Sequence, residues 1–261
     1  MHQAPESSTI GDALRAASKR LAATSETPRL DAEVLLRHVL GYDRTTLFLH
    51  LQSPLTIAAE RGLTTLLERR LAGEPVAYLT GQREFMGWSF GVAPGVLIPR
   101  PETEILVEWA RARSPLTTVI DIGTGSGAIA LSLAAHSAPG WAGQIVASDV
   151  SAAALTIASA NRRRLGLNDR VAFVRGDLAT WCRGPVDLLL ANLPYLRPDQ
   201  IATNPALRAE PRLALLGGDD GLDLVRRLIA DLPRLLAAAA AVGLEIDPSQ
   251  ATTVASLLQT T

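Results

Sequence analysis

From residue 118 onward, short apolar runs alternate with longer stretches of helical periodicity, and this alternation restricts the fold more than any other feature of the chain. Runs at 119–122, 144–148, 171–174, 186–191 and 242–246 read as strands, and segments at 128–135, 152–165 and 222–236 read as helices. Strands joined through helices lie parallel, and a parallel sheet is covered by helices on both faces. Val186-Asp187-Leu188-Leu189-Leu190-Ala191 is the expected buried strand of such a sheet. The 261 residues suit one large domain or two modest ones, and a hydrophobic content of 48% is enough to build the core.

The N-terminal part has a different pattern. Ile10, Leu14, Ala17 and Leu21 recur at helical spacing. After Thr27-Pro28, Leu30, Val34, Leu35, Val39 and Leu40 mark a second helix that stops at Gly41. A third covers residues 55–71 and ends at Gly73-Glu74-Pro75. Residues 76–98 are Tyr, Phe, Trp and Val interrupted by Gly81, Gly87, Gly91 and Gly95, the pattern of a β-hairpin linker. Pro99-Arg100-Pro101-Glu102-Thr103-Glu104 then opens a helix through residue 112. The expected organisation is a helical domain over residues 1–75, a hairpin linker over 76–98 and an α/β domain over 99–261.

Charge and cysteine content exclude several classes. A formal net charge of −1 gives no global basic field for nucleic acid or anionic membrane. Asn161-Arg162-Arg163-Arg164 reads as a solvated helix end. Cys182 is the only cysteine and His2, His38, His50 and His136 are scattered, so neither a disulfide nor a zinc site is expected. Residues 1–6 lack a basic flank followed by an apolar segment, and no later stretch suits a bilayer span, which makes the cytoplasm the expected location.

Asp121-Ile122-Gly123-Thr124-Gly125-Ser126-Gly127 falls where the first strand turns into a helix. Glycines there let the backbone approach a ligand, and the helix start offers unpaired N–H donors. Asp149, after the next strand, is placed to accept from the two hydroxyls of a ribose. Gly123-x-Gly125-x-x-Ala128 also fits a dinucleotide fingerprint, so the glycines alone do not choose between NAD and S-adenosylmethionine. Asp177, in Arg175-Gly176-Asp177-Leu178 after the third strand, can accept from an adenine amino group while Leu178 packs on the ring. Three consecutive strand ends would then face one adenosine.

Asn192-Leu193-Pro194-Tyr195 follows the fourth strand of this set. An asparagine amide offers one acceptor oxygen and two N–H donors, and an adjacent proline stiffens the turn, so together they can grip a planar –NH2 group. Alone, the four residues also fit an ordinary strand exit.

Taken together, these motifs resemble the class I methyltransferases that methylate planar amino groups, whose hallmark is Asn-Pro-Pro-Tyr or Asp-Pro-Pro-Tyr. More closely, the chain is similar to the release factor glutamine methyltransferases. The segments that carry the resemblance are residues 30–36, 70–81, 97–104, Glu210-Pro211 and 217–223, within a match covering about residues 10–250. It implies a Rossmann-like α/β domain binding S-adenosylmethionine and a small N-terminal helical domain that recognises substrate. It also implies transfer of a methyl group to a glutamine amide of a peptide chain release factor.

By the same resemblance, Gly123, Thr124, Gly125, Ser126 and Gly127 line the cofactor with Asp149, Asp177, Leu178 and Asn192. Asn192 and the carbonyl of Leu193 accept the two amide N–H groups, followed by Pro194 and with Tyr195 as a pocket wall. Arg100 and Glu102 lie in a segment shared with the family, where charge at a helix start is an equal reading. No metal is implied.

The chain departs from the family at three places. Leu193 stands where the first proline is usual, and the run 237–241 with Leu244-Glu245-Ile246-Asp247 replaces a glycine turn and Leu-Glu-Ile-Gly. The sequence ends at Thr261 whereas the family continues into a terminal pair of strands, from which an exposed edge on the fifth strand and self-association are expected. The rival readings are a DNA adenine N6-methyltransferase, a ribosomal-protein glutamine methyltransferase, and a noncatalytic cofactor-binding module.

Overall fold

The computed structural model describes residues 8–113, 117–137 and 143–260, so the reading of residues 1–6 and of His2 lies outside the described residues. The chain divides into two compact units, Met1–Gly81 and Gln82–Thr261.

The first unit is helical: α1 (Ile10–Leu21), α2 (Pro28–Leu40), α3 (Arg44–Leu49), α4 (Ile57–Leu71) and α5 (Val76–Thr80). Thr9 and Asp12 form a reciprocal capping box at α1, and Gly41 closes α2 with a left-handed φ of 67°. The buried face of α2 is not the stripe through Leu30 and Val34. It consists of Asp31, Ala32, Glu33, Leu35 and Leu36, while Leu30 is 52% exposed. Two carboxylates can lie on that face because cations meet them, Arg70 Nε at 2.8 Å from Asp31 and Arg44 Nε at 3.0 Å from Glu33. Residues 76–80, expected as part of a hairpin linker, form one helical turn from Pro75 to the left-handed Gly81.

The second unit opens with a hairpin, β1 (Gln82–Phe85) and β2 (Trp88–Gly91), whose two-residue turn places Met86 and Gly87 at positive φ. The hairpin does not hang free as a linker. Phe85 and Phe90 are buried in the core of this unit, edge to face with ring centroids 6.0 Å apart. Asn161 ties the hairpin down: its Oδ1 accepts from Gly91 N at 2.7 Å, and its Nδ2 donates to Gly91 O at 3.0 Å and Ser126 O at 2.8 Å. The reading of 161–164 as a solvated helix end is therefore corrected. Asn161 is 2% exposed, and Arg162 lies over the Phe173 ring and donates to Val171 O.

The remaining elements are α6 (Glu104–Arg111), β3 (Thr118–Ile122), α7 (Ala128–Ala135), β4 (Gln144–Asp149), α8 (Ala152–Arg164), β5 (Val171–Arg175), β6 (Val186–Asn192), α9 (Pro198–Thr203), α10 (Asp223–Leu235), β7 (Leu236–Glu245) and α11 (Ala251–Gln259). The sheet is parallel throughout with order β5-β4-β3-β6-β7. Period-two alternation buries both faces: Leu188 and Leu190 join the core with α7, whereas Leu189 and Ala191 join the core with α10 and α11.

The last strand is longer than its apolar run. It begins at Leu236 and carries the alanines 237–241, and its register with β6 slips between Val186 and Leu188. Alanine favours helix over strand, so pairing to β6 overrides local preference here. β7 has no strand on its outer side among the described residues.

The chain runs outward from β3 to β5 and then returns to β6 on the other side of β3. Strand order thus reverses between β3 and β6, and in open α/β sheets ligands bind beyond the carboxyl ends of the strands at such a point.

Candidate active site

A cavity of about 510 Å³ lies at that reversal. Its walls come from the ends of four strands, among them Gly123 and Gly125 after β3, Asp149 on β4, Asp177 and Leu178 after β5, and Asn192 on β6. Its volume is that of a site for a nucleoside-sized ligand.

The glycine loop works through its backbone. Gly123 and Thr124 N–H both donate to Ser148 O at 2.8 Å, which pins the loop to β4. A Cβ on Gly125 would meet nothing within 4 Å, so this glycine leaves open space where a ligand can approach. Gly127 is different: a Cβ there would fall 2.9 Å from Leu131 Cδ1, and its role is to let α7 start against α8. It does not line the cavity. Thr124 and Ser126 line a smaller pocket of about 50 Å³ beside the loop. The Thr124 hydroxyl donates to Asp121 Oδ2 at 2.6 Å, and the Ser126 carbonyl accepts from Asn161.

Asp149 is held by two main-chain donors, Gly125 N on Oδ2 at 2.9 Å and Ser151 N on Oδ1 at 2.8 Å. Each oxygen keeps a lone pair for a ligand hydroxyl. Asp177 Oδ2 accepts from Arg227 Nη2 at 2.6 Å, a half-exposed pair on the cavity wall. Leu178, buried, sits at a positive φ of 47°. A bulky residue in that region is strained, and such strain gathers at ligand sites. Beneath the loop, burial pushes Asp121 up to about 7, and the negative charge of Asp149 adds to the rise against the Thr124 hydrogen bond.

Asn192 forms a partition. It lines the large cavity and also a second pocket of about 220 Å³, with Arg100, Leu193, Pro194, Tyr195 and Glu245. Asn192 Nδ2 donates to the buried Thr103 hydroxyl at 3.0 Å. Tyr195 OH donates to Glu245 Oε1 at 3.4 Å, and burial followed by the Glu245 charge pushes the phenol up to about 12. Glu245 itself is raised by burial, against the hydrogen bond from Tyr195.

Leu193 is 4% exposed and belongs to the core with Ile122, Leu178 and Leu222. Its Cδ2 stands 3.2 Å from where a Cβ on Gly123 would be, so its side chain lies against the glycine loop.

Of the two charges in residues 99–104, Arg100 walls the second pocket and pairs with the buried Glu210, which also accepts from Ile98 N at 3.0 Å. Glu102 is exposed at the start of the helical turn. Sequence reasoning missed Thr103, Glu210, Glu245 and Arg227. The available signal was Glu245, an acid at the carboxyl end of a sheet strand.

A Rossmann-like sheet with a glycine loop after its first strand, an acid after its second and Asn-x-Pro-Tyr after its fourth defines a class I S-adenosylmethionine-dependent methyltransferase. Residues 12–81 match the PrmC N-terminal domain and residues 119–208 a methyltransferase domain. The chain is 45% identical over 255 residues to the release factor glutamine methyltransferase of Moorella thermoacetica, covering 95% of this chain and 89% of that protein. To the enzyme of the same name from Bordetella pertussis it is 42% identical over 248 residues, 92% of this chain and 90% of that one. The fold alone is similar to the catalytic domain of hMettl16, solved with a MAT2A 3′UTR hairpin, at TM-score 0.55 and 20% identity over 71% of each chain. The chain belongs to the release factor glutamine methyltransferase family.

Proposed function

We infer that this protein transfers a methyl group from S-adenosylmethionine to the side-chain amide nitrogen of a glutamine in a peptide chain release factor. The observation that carries the reading is the position of Asn192 between two cavities, its Nδ2 turned to Thr103 and its Oδ1 left as an acceptor.

The larger cavity fits the cofactor. Gly123, Gly125, Asp149, Asp177, Leu178 and Asn192 would hold it, with Thr124, Ser126 and Gly127 shaping the loop around it. When bound, S-adenosylmethionine supplies an electrophilic sulfonium methyl group. The glutamine amide is a poor nucleophile because its lone pair is delocalised into the carbonyl. Asn192 Oδ1 and the carbonyl of Leu193 accept its two N–H groups, which fixes the plane of the amide and directs the nitrogen towards the larger cavity. Orientation of this kind supplies up to about 7–11 kcal/mol in favourable cases. Both acceptors strengthen as the nitrogen gains positive character, so they favour the transition state over the ground state. Pro194 stiffens the turn, and Tyr195, kept neutral by its raised pKa, walls the acceptor pocket.

The helical unit is assigned substrate recognition. The cytoplasm is assigned as the site of action; no helix among the described residues is long and apolar enough to cross a membrane. Self-association through the outer edge of β7 belongs to the same reading.

The test is incubation with labelled S-adenosylmethionine and, separately, release factor, ribosomal protein and duplex DNA. Label on a release factor glutamine supports the proposal. Label only on DNA or ribosomal protein, or cofactor binding without transfer, refutes it.

A further inference from the structure

Two neighbouring arginines on α10 have different partners. Arg226 pairs with Asp220 and Asp223, outside the larger cavity, whereas Arg227 lines that cavity and donates from Nη2 to Asp177 Oδ2 at 2.6 Å. A half-exposed ion pair adds little to the stability of a fold, so its place on a ligand cavity is what calls for a reason.

Both ends of the pair are held by their surroundings. Val225, Leu228, Ile229, Leu232 and Leu235 are buried in the core and set the rotation of α10, which brings Leu224 and Arg227, one turn apart, to the cavity wall. The turn that carries Asp177 is tied through its main chain: Gly176 N donates to Asp149 O at 3.1 Å, Thr180 Oγ1 to Asp177 O at 2.8 Å and Trp181 Nε1 to Leu178 O at 2.9 Å. The Asp177 carboxylate is the part left to rotate. Among the described residues its Oδ2 has one partner, Arg227, and its Oδ1 has none.

An ionised carboxylate only accepts, so Oδ1 suits a ligand group that donates. The amino group of adenine donates. A 6-oxopurine presents a carbonyl oxygen in its place, and two acceptors facing each other leave both unpaired. Without Arg227 the carboxylate would have to give up its rotational freedom each time a base bound; with it, that freedom is already gone.

We propose that Arg227 is a positioning residue for the base of the cofactor: it engages Asp177 Oδ2 and keeps Oδ1 as the acceptor that selects a 6-aminopurine over a 6-oxopurine. This role rests on the assignment of the larger cavity to S-adenosylmethionine with Asp177 at its adenine, and is independent of which amide is methylated.

Binding of S-adenosylhomocysteine and S-inosylhomocysteine, measured by calorimetry, tests it. These compounds differ at one edge of the base and neither carries the sulfonium charge, so the ratio of their dissociation constants cancels changes in overall charge or packing. The wild type favours the adenosyl compound by about tenfold or more. Asp177→Ala removes the preference. Arg227→Met lowers it by about threefold or more, through weaker binding of the adenosyl compound and not of the inosyl one. Arg227→Lys, whose ammonium can donate to the same oxygen, stays within about twofold of the wild-type ratio. Arg226→Met, which removes the neighbouring charge, leaves the ratio as it is.

An unchanged ratio in Arg227→Met, an equal loss in Arg226→Met, or a loss in Arg227→Lys as large as in Arg227→Met overturns the positioning role while Asp177 keeps its assignment. A preference that survives Asp177→Ala overturns that assignment and the positioning role with it. Neither compound is a methyl donor, so a wild type that transfers nothing to release factor strikes the proposed function alone, and the ratios still support or overturn the role of Arg227.

Discussion

Leu193 occupies the position where related tetrapeptides carry proline, and its packing sets what substitution does. The side chain is 4% exposed, lies among Ile122, Leu178 and Leu222, and reaches the glycine loop at Gly123. Leu193→Ala leaves a cavity in that core and costs about 2–5 kcal/mol. At about 2–4 °C per kcal/mol for a unit of this size, the melting temperature falls by about 4–20 °C. Leu193→Pro keeps most of the side-chain volume, and among the described residues Leu193 N–H donates to no acceptor, so no hydrogen bond is lost. Its cost is about 1–3 kcal/mol, from imperfect repacking.

Turnover follows a different rule, because the proposed acceptor at this position is a main-chain carbonyl that every residue retains. Leu193→Pro therefore transfers methyl at least as fast as the wild type, and Leu193→Ala stays within about threefold at a temperature where it is folded. Calorimetric melting and labelled methyl transfer at 25 °C read the two effects separately. An alanine variant that melts like wild type, or a proline variant that loses more than about tenfold in kcat, refutes this reasoning.

Asp149→Ala removes the carboxylate that holds Gly125 and Ser151 N–H and weakens S-adenosylmethionine binding by about tenfold or more in calorimetry. Asp121 binds its proton more tightly in the fold, at about 7 against an ordinary value of 3.8, so the stability it contributes is complete below 3.8 and lost as pH rises through about 7. The melting temperature of Asp121→Asn relative to wild type should accordingly rise between pH 5 and pH 8, by an amount worth at most about 3 kcal/mol; a constant difference contradicts the assignment. Self-association through the β7 edge predicts a concentration-dependent mass in sedimentation, weakened by a charge at the exposed Ala239, whereas a monomer at all concentrations rules it out.

The parts of the fold that could be read from the sequence are those where one physical demand acts on neighbouring residues. Residues 186–191 had to be apolar on both faces because the strand is covered on both, and that leaves an uninterrupted run. The glycine loop was legible because Gly123 and Gly125 adopt positive φ. In contrast, α3 is six residues long, too short to display a period. The face of α2 was misassigned because Asp31 and Glu33 are buried through Arg70 and Arg44, partners that no local pattern reveals. Thr103 and Asn192 meet across 89 residues of sequence, and Glu245 stands opposite Asn192 only because β7 pairs with β6. Asn161 looked solvated beside three arginines, yet it is the clamp between the hairpin and the glycine loop.

The central claim is that Asn192 grips the acceptor amide. Mass spectrometry of a release factor after incubation with S-adenosylmethionine, using wild type and Asn192→Ala matched for cofactor affinity, tests it most directly. The account predicts a single methyl group on a glutamine side-chain nitrogen with the wild type and a loss of about a hundredfold or more with Asn192→Ala. Methylation of that glutamine at an undiminished rate by Asn192→Ala would contradict it.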